Sequence, residues 1–84
     1  MVNTKAFTEE EAALYDAIER AIANVRAALA EIDHAWVRIR AERPNPTVDA
    51  FVVLKTADEM LSVAREDLAR ARTVLAVYAQ SRRQ

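Results

Sequence analysis

From Tyr15 onward, large apolar side chains return in alternating steps of three and four: Tyr15, Ile18, Ile22, Val25, Leu29, Ile32, Trp36 and Ile39. That spacing keeps one stripe along an α-helix. It predicts a heptad seam with Tyr15, Ile22, Leu29 and Trp36 at position a, and Ile18, Val25, Ile32 and Ile39 at position d. A second run repeats the period. Leu54, Leu61, Leu68 and Leu75 stand at a, with Ala50, Ala57, Ala64, Ala71 and Tyr78 at d. The pattern predicts two long helices in one domain spanning residues 1–84. The first covers about 8–43 and the second about 46–80, with 1–7 and 81–84 frayed.

The ends of these runs carry boundary signals. Thr8-Glu9-Glu10-Glu11 has the form of a capping box, in which the Thr8 hydroxyl accepts from the Glu11 amide and the Glu11 carboxylate reaches back. Three acids in the first turn also suit the positive end of the helix dipole. The only prolines, Pro44 and Pro46, fall in ERPNPT. Pro44 biases Arg43 away from helical geometry, which stops the first helix. Asn45 then serves as N-cap and Pro46 as the first residue of the second helix.

So short a connection sets the helices side by side and antiparallel. The predicted fold is all-α: a coiled-coil-like helical hairpin. Folding at Asn45 brings Trp36 level with Leu54, Leu29 with Leu61, Ile22 with Leu68 and Tyr15 with Leu75. Small alanines of the second helix then face Ile18, Val25 and Ile32. The acidic start of helix one (Glu9, Glu10, Glu11, Asp16, Glu19) lies beside the basic end of helix two (Arg70, Arg72, Arg82, Arg83). Glu19 is expected level with Arg72. Such surface pairs contribute only a few tenths of a kcal/mol each, ~0.2–1, but they favour the antiparallel orientation.

One seam between two helices buries little, and the sequence offers more apolar surface beside it. Position g of helix one holds Leu14, Ala21, Ala28 and Ala35; helix two adds Val53, Met60, Val63, Val74 and Val77. The opposite e edge is charged, with Glu19, Arg26, Asp33 and Arg40 on one helix and Asp58, Arg65 and Arg72 on the other. The apolar edge predicts pairing into a four-helix bundle, most simply as a homodimer. A helical protein partner would satisfy the same requirement.

Composition narrows the function classes. The chain has 84 residues, 12 basic and 13 acidic, for a net charge of −1. That balance argues against a nucleic-acid or anionic-membrane surface as partner. Arg outnumbers Lys and Ala is abundant, the bias of a GC-rich bacterial or phage genome. There is no cysteine and no glycine, so thiolate chemistry and phosphate-cradling glycine loops are excluded. The start, MVNTKAFTEEE, carries no apolar signal region, and no run reaches the ~20 apolar residues of a membrane span. A cytoplasmic location follows as the expectation.

Candidate chemistry is sparse. Glu31-Ile-Asp-His34 contains E-x-x-H, the i,i+3 pair by which ferritin-like bundles supply two ligands from one helix. Glu59 is level with it on helix two. However, Glu31 and His34 map to positions c and f, off the seam, so a metal site would need an intermolecular contact. Asp33 and Asp58 are level with each other, as are Arg26 and Arg65. With one histidine and no nucleophile–base set, no catalytic residue, cofactor or metal ligand is assigned. The sequence predicts a non-enzymatic protein–protein interaction or structural module. Two alternatives stand beside it: a small regulator, antitoxin-like or a phage-encoded inhibitor, completed by its target, and a metal-binding helical bundle.

Overall fold

A computed structural model of the chain describes residues 8–82. It consists of two helices packed against each other, α1 (Glu9–Ala41) and α2 (Val48–Arg82). Residues 1–7 and 83–84, expected to fray, lie outside the described residues; Ser81 and Arg82, grouped with them, belong to α2.

The entry to α1 follows from the sequence. Thr8 is the N-cap in extended geometry, and its hydroxyl accepts from the Glu11 amide at 3.0 Å. The Glu11 carboxylate points elsewhere, toward Arg82 at 3.9 Å. The corner differs by a few residues. α1 ends at Ala41 and α2 begins at Val48, so the connection is longer than expected. Thr47, not Asn45, caps α2: its hydroxyl accepts from the Ala50 amide at 3.2 Å. The physical reason is a second set of bonds open only to Thr47. Its backbone N–H and its hydroxyl both donate to the Glu42 carboxylate, at 2.8 and 3.0 Å. The turn between contains a cis Arg43–Pro44 peptide bond and an Asn45 amide bonded to the Glu42 carbonyl at 3.0 Å.

The core is narrow and almost entirely alanine: Ala21, Ala28, Ala35 and Ile39 from α1, Ala50, Ala57 and Ala64 from α2. This corrects the expected seam. Tyr15, Leu29 and Trp36 were expected inside and are 43%, 43% and 45% exposed. Ala21, Ala28 and Ala35 were expected on the outer edge and are buried. The d row keeps an inward place, with Ile18, Val25 and Ile32 half-buried and Ile39 buried. α1 has therefore turned by about half a residue step, ~50–60°, so that g and d face α2. The cause is volume. With alanine rows on both helices the backbones can approach closely, whereas Leu29 and Trp36 would hold them apart. On α2 the expected rows do face inward: Leu54, Leu61, Leu68, Ala71 and Leu75 are half-buried beside the buried alanines.

The resulting hairpin extends 66 × 18 × 13 Å. Its radius of gyration is 19.0 Å, against ~12 Å for a compact domain of this length. It exposes 6292 Å², where a compact monomer of this mass exposes ~5000 Å². Among the described residues no large side chain is fully buried.

Candidate interaction surfaces

Each helix presents a row of large apolar residues that the hairpin does not cover, and the two rows lie on opposite faces. One step after a seam alanine rotates the chain ~100° toward one face, and in an antiparallel pair this is the same face for both helices. Those positions hold Ile22, Leu29 and Trp36 on α1, and Phe51, Asp58 and Arg65 on α2. One step before a seam alanine leads to the other face. There, Asn24 and Ala27 of α1 flank an open cleft with Thr56, Met60 and Val63 of α2. Farther along, the same face continues with Leu14 and Ala17 opposite Ala71 and Val74, and toward the corner with Glu31 opposite Val53.

The expected outer edge is thus split. Val53, Met60, Val63, Val74 and Val77 are exposed as expected positions for a partner, while Leu14 is half-buried and the three alanines are used inside the hairpin. Tyr15, Leu29 and Trp36, with half-buried Ile22, form an apolar row at positions expected in the seam. The signal for three of them was available: Ile22, Leu29 and Trp36 each sit one position after an alanine at the same heptad spacing. Near the corner, Val37, Val48, Phe51 and Val52 are also exposed.

The two ends of the hairpin are tied by polar groups. At the corner, Glu42 accepts from Thr47 as above and from Arg38 Nε at 3.0 Å. Arg38 also donates to the Thr47 hydroxyl at 3.4 Å. The Thr47 backbone N–H, then the Arg38 guanidinium, hold the Glu42 carboxyl below its ordinary pKa. At the open end, Tyr78 and Thr8 share a hydroxyl–hydroxyl bond of 2.9 Å across the two helices. Arg82 donates to the Tyr78 hydroxyl at 3.1 Å, with its guanidinium 5.8 Å from the ring centre. That bond, followed by the charge of Glu11, raises the Arg82 pKa. Thr8–Tyr78 and Glu11–Arg82 set the helix register to within about a turn of the expected one.

Glu11–Arg82 is the sole ion pair between the helices among the described residues; the others are Arg38–Glu42 and Asp67–Arg70, each within a turn of the chain. The expected Glu19–Arg72 pair is not formed. Glu31, His34 and Glu59 are all exposed. Among the described residues no group of three or more His, Asp or Glu is placed to hold a metal ion. No described helix is long and apolar enough to cross a membrane. No family model, curated protein or solved structure matches the chain.

Proposed function

We propose that this protein is a non-enzymatic interaction or structural module that works by self-association, two hairpins completing a four-helix bundle. The observation that carries this reading is the inversion of α1. Alanine lines the hairpin interior, while Leu29, Trp36 and several residues of α2 face outward. Burying alanine removes little apolar area from water, and burying a Leu or Trp removes several times more. A second hairpin seated on the α1 row would cover Leu29 and Trp36 and supply the missing core.

Size-exclusion chromatography with light scattering, over a range of chain concentrations, tests the reading. A helical dimer that dissociates with loss of thermal stability is the expected result. A chain that is unfolded or aggregated by itself, and becomes helical only with a second protein, would instead favour the regulator completed by its target.

A further inference from the structure

We infer that the second copy docks antiparallel on the face bearing Ile22, Leu29 and Trp36, about a two-fold axis that crosses α1 between Leu29 and Ala30. The inference rests on the self-association reading and adds the surface and the orientation.

The charges on this face decide between the two symmetric arrangements. Along α1 the row Glu19, Arg26, Asp33, Arg40 alternates in sign at heptad spacing. Reversed end to end, such a row of four becomes its own complement. Glu19 meets Arg40 of the second copy, and Arg26 meets Asp33 of the second copy. Both pairs have the same midpoint, between Leu29 and Ala30. On α2 the pair Asp58 and Arg65 behaves alike, with its midpoint between Leu61 and Ser62, at nearly the height of Leu29. One axis therefore serves both helices. It also sets Leu29 beside Leu29 and Trp36 beside Ile22 of the second copy.

A parallel dimer on the same face would stack α1 on α2 of the other copy at equal height. Arg26 would then meet Arg65, and Asp33 would meet Asp58, each a like-charge pair that disfavours the arrangement. Among the described residues none of Arg26, Asp33, Asp58 and Arg65 forms an ion pair within the hairpin. Their partners remain to be supplied. About this axis residues 18–41 and 48–75 of the two copies overlap, ~40 Å of a face 66 Å long and 18 Å across, close to the ~800 Å² per partner of a standard interface.

The test uses the full chain with two charge variants and two labelled variants. Asp33→Arg/Asp58→Arg sets like charges against each other at the Arg26–Asp33 and Asp58–Arg65 contacts and should raise the dimer Kd about tenfold, with helicity by circular dichroism unchanged. Mixing it with Arg26→Asp/Arg65→Asp should restore a one-to-one pair. The chain has no cysteine, so spin labels at Ala30→Cys or Gln80→Cys are unambiguous. The two Gln80 positions should lie ~55 Å apart, and the two Ala30 positions close together. A Gln80 distance below ~30 Å, expected of a parallel pair, would overturn the orientation. A dimer indifferent to the charge variants would overturn this face while leaving self-association intact. A chain that stays monomeric at every concentration would remove both.

Discussion

Ala21, Ala28 and Ala35 stand one residue before Ile22, Leu29 and Trp36, at the same seven-residue spacing. The first row is buried in the hairpin, and most of the second is left in solvent. The difference shows that helix packing is not a simple contest of hydrophobicity. The inner row is selected because small side chains let two backbones approach, so that dispersion contacts run along the whole length. The outer row carries most of the transferable apolar area and is the surface proposed for contact between molecules. A single-chain hairpin built on alanine is thus geometrically well formed and energetically incomplete, which fits its extended shape and large exposed surface.

The sharpest way to break the comparison is to put a large residue in the inner row. Ala28 is 1% exposed, and Ala28→Leu should destabilise by ~1–3 kcal/mol through overpacking. Urea melts at fixed chain concentration would read it. An unchanged midpoint would mean that the alanine row is not the packing surface. One residue on, Leu29→Ala should leave the secondary structure intact and weaken self-association about tenfold, roughly 1.4 kcal/mol. Sedimentation equilibrium would measure that loss. Equal effects of the two substitutions on melting and association would erase the distinction between the rows.

The corner and the open end tie the two helices in register, and smaller perturbations there sharpen the picture. Thr47→Ala removes the α2 cap and one of the bonds to Glu42, and should cost ~1 kcal/mol in thermal melts. Tyr78→Phe removes the exposed bonds to Thr8 and Arg82 and should cost ~0.5 kcal/mol. Glu42 gives a pH signature. Its pKa is lowered in the folded chain from the ordinary 4.5. Its contribution is therefore present above that value and is lost as pH falls through the lowered one. The melting difference between wild type and Glu42→Gln should be present at neutral pH and vanish in strong acid; a difference independent of pH would remove Glu42 from the corner's role.

Much of the fold was legible because its signals are local. The Thr8 cap, the two helical runs and the break around Pro44 and Pro46 each depend on neighbours within a turn or two. The choice between Asn45 and Thr47 as cap was not legible, since both residue types cap well. Glu42 resolves it only after the chain has turned back. The candidate surface was half legible. Met60, Val63 and Val74 stood out as surplus beside the seam, while Leu29 and Trp36 were concealed, because d paired with a and d paired with g both run in steps of three and four.

What the sequence determined alone is the periodicity: two helices, an antiparallel return, alanine and leucine rows on α2, and an α1 with three neighbouring rows able to pack. Which two of those three turn inward was decided in the tertiary structure. Heptad spacing specifies a stripe but not its rotation about the helix axis. That rotation is set by how closely two particular surfaces can meet, and it exists only once both helices are present.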